Sequence, residues 1–171
     1  RSLSAQRLIL MPAMKKDARI FVAGHAGLIG SAMIRRLERE GYSHLITLPR
    51  SQLDLQDSTR VASFFERTRP EYVVLAAGRV GGIIENQSYP ADFMDENIAI
   101  QINVLKAARK IGVTKLKLMS NNPKKRTGLV GYGLEIVDNV QINVDCNIHN
   151  SAYLKTKKDR MGHDIKISTD T

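Results

Sequence analysis

The sequence predicts an α/β fold, with a Rossmann-like, doubly wound parallel sheet that is truncated and followed by an irregular C-terminal tail. Two observations predict it. Short apolar runs of strand character alternate with segments of helical periodicity as far as residue 119. A glycine-rich turn separates the first apolar run from the first helical segment. Parallel strands with right-handed crossovers and helices on both faces of the sheet follow from this alternation.

The first half of the predicted sheet contains two strands and two helices. Ile20–Ala23 is a continuous, partly β-branched apolar run, which is typical of a strand buried on both faces. Leu28–Glu40 is predicted as a helix because apolar residues recur four apart on one face. Leu45–Leu48 is the second predicted strand. Asp57 can cap the second helix, whose apolar side carries Val61, Phe64, Phe65 and Thr68.

Two more strands and one long helix complete the alternation. Tyr72–Ala77 is the third predicted strand and Lys115–Met119 the fourth. Between them, a helix is predicted over Pro90–Ile111, because proline suits a helix start and Gly112 suits its end. Beyond the fourth strand the alternation of strand and helix patterns stops. Val140–Ile148 instead alternates strictly between apolar and polar residues. This alternation predicts a half-exposed strand.

Composition limits the class of protein. The chain has 171 residues, of which 43% are hydrophobic and 25% charged, so it fits a globular domain better than a disordered polymer. Its formal net charge of +9 permits phosphate-bearing partners without specifying one. No aromatic stacking platform or basic recognition helix accompanies this charge, so we expect no nucleic-acid binding. No apolar run approaches the roughly 20 residues that span a bilayer, so we expect a cytoplasmic protein without a membrane partner.

The cysteine and histidine residues indicate neither a disulfide nor a metal site. Cys146 is the single cysteine, which excludes an internal disulfide framework. The four histidines are scattered and have no metal-ligand spacing. We therefore predict no metal site.

The turn after the first strand carries the clearest chemical signal. Gly24-His25-Ala26-Gly27-Leu28-Ile29-Gly30 has the spacing GxxGxxG and lies between a predicted strand and a predicted helix. The first glycine permits a tight turn, the second lets the backbone approach a pyrophosphate, and the third lets helix and strand pack closely. The helix N-terminus then faces the anion. This context favours dinucleotide binding over the alternative of a purely structural turn.

The end of the second strand bears on the choice of cofactor. Arg50 follows it where an NAD-preferring site typically has an acid, and a guanidinium can pair with the 2′-phosphate of NADPH. The alternative is a solvated loop arginine. Asp54 and Asp57 can reach the adenine edge, although capping of a helix explains Asp57 equally well.

Several further runs carry a family resemblance. They are Ile20-Phe21-Val22-Ala23-Gly24-His25 with Gly27 and Gly30, Leu75-Ala76-Ala77, Val80-Gly81-Gly82-Ile83, Asn86, Tyr89-Pro90-Ala91-Asp92-Phe93 and Asn97. With these runs, residues 18–119 resemble the extended short-chain dehydrogenase/reductase superfamily and, within it, the GDP-L-fucose synthase family. That family consists of NADPH-dependent epimerase/reductases of GDP-4-keto-6-deoxymannose.

The resemblance implies an NADP(H) cofactor, a nucleotide-sugar substrate and pairing of two copies through long helices, as a homodimer. Ala26 stands where the family has a second basic residue for the 2′-phosphate, which leaves Arg50 to act alone. Arg79 stands where the family often has lysine. With Asp54 from its position near the adenine edge, the predicted cofactor-binding residues are Gly24, His25, Ala26, Gly27, Leu28, Ile29, Gly30, Arg50, Asp54, Leu55, Ala76, Ala77 and Arg79.

The catalytic half departs from the family. Where the family has Ser-Ser-Cys-Ile-Tyr-Pro, this chain has Ser120 followed by Asn121-Asn122-Pro123, so Ser120 matches the family's serine only after a one-residue shift. Tyr153 and Lys157 satisfy the superfamily's YxxxK spacing. On a helix the two share a face, so that the ammonium can lower the tyrosine pKa and the phenol can donate a proton. Chance occurrence in a lysine-rich tail is the alternative.

These observations predict three parts: a disordered leader or extension over residues 1–14, an NADP-binding Rossmann domain over 15–120, and a divergent tail over 121–171 without a recognisable substrate domain. Truncation, alternative splicing or a frame shift are the hypotheses for the tail. The predicted function is NADPH-dependent epimerisation and reduction of a 4-keto-6-deoxy sugar nucleotide. The alternative is a dinucleotide-binding module without catalytic activity.

Overall fold

A computed structural model describes residues 14–79, 90–122, 133–141, 146–147, 150–162 and 165. The chain divides into two compact units, Met11–Val113 and a unit that contains Thr114–Thr171. The boundary therefore falls before the fourth predicted strand rather than after it. The predicted leader, the Val80–Ile83 run, Asn86 and Tyr89 lie outside the described residues, except for Met14 at the end of that leader.

The first unit has the predicted α/β alternation. Its sheet has the order β2-β1-β3, and both strand pairs are parallel, with Ala23 opposite Leu75 at the end of the β1–β3 pair. The second and third strands are shorter than the predicted Leu45–Leu48 and Tyr72–Ala77. The elements are β1 (Ile20–Ala23), α1 (Leu28–Arg39), β2 (Leu45–Ile46), α2 (Ser58–Thr68), β3 (Tyr72–Leu75) and α3 (Pro90–Lys110).

Side chains of β1 alternate between two hydrophobic clusters, because successive residues of a strand point to opposite faces of a sheet. On one face, Phe21 packs with residues of α2 and α3, and its ring lies 4.8 Å from that of Phe64. On the other face, Ile20 and Val22 pack with Leu37 of α1. Helices therefore cover both faces of the sheet, which confirms the doubly wound, Rossmann-like prediction.

Asp57 caps α2. Its side chain accepts hydrogen bonds from the backbone N–H groups of Thr59 and Arg60, both at 3.0 Å. These bonds satisfy two donors that the first turn of a helix leaves without partners. Of the two interpretations of Asp57, the helix cap is the one that the structure supports.

The second unit contains a two-stranded parallel sheet and a helix. They are β4 (Lys115–Met119), β5 (Glu135–Val140) and α4 (Ser151–Met161). In a strand buried on both faces of the first sheet, the Lys117 ammonium would need a partner for its charge. In the second unit it pairs with Asp138 across the two strands, Nζ to Oδ2 at 3.4 Å. The expectation that β4 extends the first sheet is therefore wrong for the described residues, because its partner there is β5.

The predicted strand over Val140–Ile148 is also misplaced. Hydrogen bonds from Glu135 N–H to the Thr114 carbonyl and from Ser120 N–H to the Val140 carbonyl fix the register of β5 over Glu135–Val140. Gln141 is not in a strand, and residues 142–145 and 148 lie outside the described residues. The tail predicted as irregular thus contains a strand and a helix.

Removing the α2 cap tests its contribution to stability. We expect Asp57→Ala to lower the free energy of unfolding by about 1 kcal/mol, because two N–H groups lose their acceptor. Asp57→Asn, which keeps an acceptor oxygen, should retain most of that stability. Urea unfolding followed by circular dichroism measures both. If neither substitution changed the unfolding midpoint, the cap would contribute nothing.

Candidate functional site

The glycine turn forms where β1 and β3 end side by side. Gly24 has φ = +80°, and a Cβ atom there would lie 2.6 Å from the backbone N of Ala77 and 2.7 Å from the Ala76 carbonyl oxygen. Any other residue would be strained by this φ and would meet that backbone. The N–H of Ala76 in turn donates to the Ala23 carbonyl at 3.0 Å. The glycine turn and the segment after β3 are therefore in direct contact.

The third glycine brings α1 against the same turn. A Cβ atom at Gly30 would lie 2.0 Å from the Gly24 carbonyl oxygen. Gly27 is the N-cap residue of α1, and its N–H donates to the Gly24 carbonyl at 3.0 Å. The first glycine thus makes the tight turn and the third lets the helix pack closely, as the sequence predicts. Gly27 has φ = −77°, which other residues can adopt.

The N-terminus of α1 is suited to an anion. Within the described part of the chain, no side chain caps this helix, and its first turn contains no acidic residue. The positive end of the helix dipole is therefore not neutralised there. His25 Nδ1 is buried beside it and makes no hydrogen bond to any described residue. Free backbone N–H groups at a helix N-terminus are the usual donors to a bound phosphate.

The segment after β3 is held by α3. Asn97 accepts from the Arg79 N–H at 2.7 Å and donates to the Arg79 carbonyl at 2.9 Å. The Arg79 guanidinium pairs with Glu96 and lies 4.5 Å from the ring centroid of Phe93. Arg79 is therefore bound to α3 through both its backbone and its side chain.

The segment after β2 is held by the same helix. The Asn103 side chain donates to the carbonyls of Leu55 and Gln56, at 3.0 and 2.9 Å. Sequence reasoning missed Asn103 and gave Asn97 no role. A polar residue on or beside the apolar face of the predicted α3 was the available signal, because a buried amide must find hydrogen-bond partners.

Arg50 and Asp54 form an ion pair in this segment. Arg50 Nε lies 3.2 Å from Asp54 Oδ2, and the arginine side chain is 68% exposed. The backbone N–H of Gln56, and after it the Arg50 guanidinium, hold the pKa of Asp54 below its ordinary value. Asp54 is therefore a carboxylate at neutral pH, next to the cation predicted to bind the 2′-phosphate.

The predicted cofactor residues gather at one end of the sheet. Gly24–Gly30 follow β1, Ala76–Arg79 follow β3, and Arg50–Leu55 follow β2. Carboxyl ends of parallel strands lie at the same edge of a sheet, where ligands of such folds bind. A cavity of about 280 Å³ lies elsewhere, lined by Arg19 and Glu71, which precede β1 and β3, and by residues that include Arg69 and Gly112.

The predicted catalytic residues all lie in the second unit. Tyr153 and Lys157 share a face of α4, and the Lys157 ammonium lies 4.3 Å from the centroid of the Tyr153 ring. Ser120 is buried at the end of β4, and its Oγ accepts from the Asn122 N–H at 3.1 Å. The proton-transfer role of the pair stays a prediction.

Metal clusters and membrane-spanning helices are both absent from the described residues. No cluster of three or more His, Cys, Asp or Glu side chains that could hold a metal ion occurs in the described ranges. Likewise, none of the helices described is both long and apolar enough to cross a membrane.

Two alanine substitutions separate the roles of the glycines. We expect Gly30→Ala to cost about 3 kcal/mol or more, because its Cβ would meet backbone that cannot move without displacing α1. Gly27→Ala should cost only about 1 kcal/mol, since its φ is ordinary and alanine is merely a poorer N-cap. Urea unfolding compares the two variants. Equal losses would contradict the close packing of Gly30.

The Asp54 ion pair gives a pH-dependent prediction. The folded pKa of Asp54 lies below its unfolded value of about 3.9. Its contribution to stability is therefore present above that unfolded value and is lost as the pH falls through the folded pKa. Arg50→Gln should raise the Asp54 pKa only in part, because the Gln56 N–H is the larger cause. NMR titration of the carboxyl carbon measures this, with Arg67→Gln as the control that should leave it unchanged. A complete return to the ordinary value would contradict the order of the causes.

Curated proteins with two different names are similar to parts of the chain. A putative GDP-L-fucose synthase 2 from Arabidopsis thaliana is 47% identical over 109 residues, which are 64% of this chain and 33% of that protein. The riboflavin biosynthesis protein RibBA from Parabacteroides distasonis is 55% identical over 75 residues, which are 44% of this chain and 17% of that protein. The chain thus spans about a third of the length of the curated fucose synthases it matches.

Solved structures share the fold. A GDP-L-fucose synthetase from Naegleria fowleri bound to NADP has a TM-score of 0.55 and 28% identity, over 64% of this chain and 34% of that one. MlghC, a GDP-mannoheptose C4 reductase from Campylobacter jejuni with NADP bound, has a TM-score of 0.58 and 26% identity, over 91% of this chain and 51% of that one. The sequence model of the NAD dependent epimerase/dehydratase family matches residues 20–122, and the chain belongs to that family.

Proposed function

We propose that Met11–Val113 binds a nicotinamide dinucleotide as part of an epimerase/reductase that acts on a nucleotide sugar. One observation carries the proposal. The N-terminus of α1 has no side-chain cap and opens over a closely packed glycine turn. This turn lies in the segment that matches the epimerase/dehydratase family.

The diphosphate is proposed to bind at the first turn of α1. Backbone N–H groups of Leu28, Ile29 and Gly30 would donate to its oxygens, and the helix dipole favours the negative charge. Gly27 lets the diphosphate approach the backbone because it has no side chain. Ala76 and Ala77, which contact Gly24, would line the nicotinamide side of the cleft.

NADP(H) is the proposed form of the cofactor. The exposed Arg50 follows β2, where the adenosine ribose lies in this fold, and its guanidinium can pair with a 2′-phosphate. Asp54 opposes this preference, because its carboxylate would repel a phosphate brought to Arg50. The resemblance to NADP-bound reductases supports the phosphorylated cofactor.

The proposed substrate is GDP-4-keto-6-deoxymannose, because curated relatives are named GDP-L-fucose synthases. When bound, NADPH would supply the hydride that reduces the keto carbon of the sugar after epimerisation. The alternative, a dinucleotide-binding module without catalytic activity, is favoured by the absence of the family's serine–cysteine segment after β4.

A homodimer and a cytoplasmic location stay predictions. The surface that supports a dimer is an apolar stripe on α3, where three exposed residues recur four apart: Met94, Ile98 and Ile102. Exposed apolar stripes on long helices commonly mark protein contacts.

The RibBA match favours a second candidate, a contribution to riboflavin biosynthesis. The 55% identity over 75 residues is higher than the identity to the fucose synthases. The chain covers only 17% of that relative, so the candidate concerns a segment rather than a whole activity.

Fluorescence titration with NADPH and NADH tests the cofactor site. We expect tighter binding of NADPH, and a roughly tenfold loss of NADPH affinity in Arg50→Gln with little change for NADH, because one charge-assisted contact is removed. Arg67→Gln, which removes the same charge in the last turn of α2, should leave both affinities unchanged.

Failure to bind either cofactor would contradict the proposed function. If NADPH binds, its oxidation in the presence of the keto sugar supports the enzyme, whereas binding without oxidation supports the module.

A further inference from the structure

The chain is similar to fucose synthases and to RibBA proteins, and the two matches cannot occupy separate stretches of it. A 109-residue match to the fucose synthase and a 75-residue match to RibBA together exceed the 171 residues of the chain. The two matches must therefore share a stretch. If the RibBA match lay wholly within the fucose synthase match, the two relatives would have to resemble each other along its whole length.

We infer that the chain joins segments of two protein families, and that the unit Thr114–Thr171 is the segment related to RibBA. The epimerase/dehydratase match ends at residue 122, close to the start of this unit at Thr114. The family's serine–cysteine segment is replaced at the same place by Ser120-Asn121-Asn122. The 75-residue match is longer than the stretch from Thr114 to Thr171, so it reaches back into α3.

The shared stretch explains how such a junction leaves the fold intact. α3 ends at Lys110, and the chain then turns through Gly112, with φ = +100°. The N–H of Val113 donates to the Ala108 carbonyl at 3.0 Å, which closes the helix C-terminus. If both families supply a helix, a glycine turn and a strand at this point, one can replace the other without breaking an element.

The second unit has the features of a segment selected to fold. Its strands pair through five residues each, and the Asn139 side chain donates to the Ser120 carbonyl at 3.0 Å. It buries Leu134, Leu154 and Ile165, each less than 9% exposed. An out-of-frame tail would not be 55% identical to a curated protein, so placing the RibBA match here argues against the frame-shift hypothesis.

This inference reassigns the predicted catalytic pair. Tyr153 and Lys157 belong to the RibBA-related segment, so their YxxxK spacing is unrelated to that of the reductase family. In α4 the Lys157 ammonium lies over the face of the Tyr153 ring. The tyrosine side chain is 60% exposed. With this origin, the pair would take no part in hydride transfer.

Hydrogen exchange on the full chain tests whether the units are separate. We expect Leu154→Ala to speed exchange in β4, β5 and α4 by roughly thirtyfold or more, because a buried side chain is lost. Exchange in β1 and α2 should not change. Val61→Ala, at a fully buried position of α2, should speed exchange in β1 and α2 by about tenfold or more. It should leave exchange in β4, β5 and α4 unchanged. If a variant unfolded one unit completely while amides of the other unit stayed protected from exchange, that result would also support separate units.

Faster exchange in all elements with either variant would overturn the inference, because one continuous Rossmann domain unfolds as a unit.

An experimental structure of the full chain, compared with that of the Parabacteroides RibBA, tests the origin of the segment. We expect Thr114–Met161 to superpose on the matched part of RibBA, including the irregularity between Leu116 and Lys117. A closer superposition on the Campylobacter reductase, which covers 91% of the chain at 26% identity, would overturn the inference. Neither outcome requires cofactor binding, so failure here is distinguishable from failure of the proposed function.

Discussion

The close backbone contacts around Gly24 are the constraint on which the first unit depends. The Gly24 carbonyl lies where a Cβ of Gly30 would be, and the backbone of Ala76 and Ala77 lies where a Cβ of Gly24 would be. Because these positions have no side chains, α1 begins directly against the ends of β1 and β3. Its first-turn N–H groups are then left at the carboxyl edge of the sheet without a side-chain acceptor. The same contacts therefore determine the packing of the helix and the place of the proposed anion site.

The long helix α3 determines the other two edges of this site. Asn97 binds the backbone of Arg79 after β3, and Asn103 binds the carbonyls of Leu55 and Gln56 after β2. These bonds add to the packing of Leu53, Leu55 and Ala77 in the core and to the bond from the Arg60 guanidinium to the Gln52 carbonyl. Charges in the loop after β2 would act in opposite directions on a 2′-phosphate, because Arg50 would attract it and the ionised Asp54 beside it would repel it. In the proposed site, the preference between NADPH and NADH would therefore depend on this ion pair.

The first unit could be predicted from its sequence because its signals are local. A continuous apolar run indicates β1, four-residue spacing indicates α1, and the glycine spacing indicates the turn between them. The partner of a strand is not local. Lys115–Met119 was correctly predicted as a strand, but its pairing with Glu135–Val140 depends on residues that showed no clear alternation. The roles of Asn97 and Asn103 likewise depend on loops distant in sequence. Chemistry in the second unit was the hardest to predict, because the YxxxK pattern has only two fixed positions.

The N–H groups at the start of α1 are the centre of this account, and NMR observes them directly. In a ¹⁵N-labelled full chain titrated with NADP⁺, we expect the largest amide shifts at Gly27–Gly30, with smaller changes after β2 and β3 and none in α4. Shifts that left the Gly27–Gly30 amides unchanged while appearing elsewhere would contradict the account.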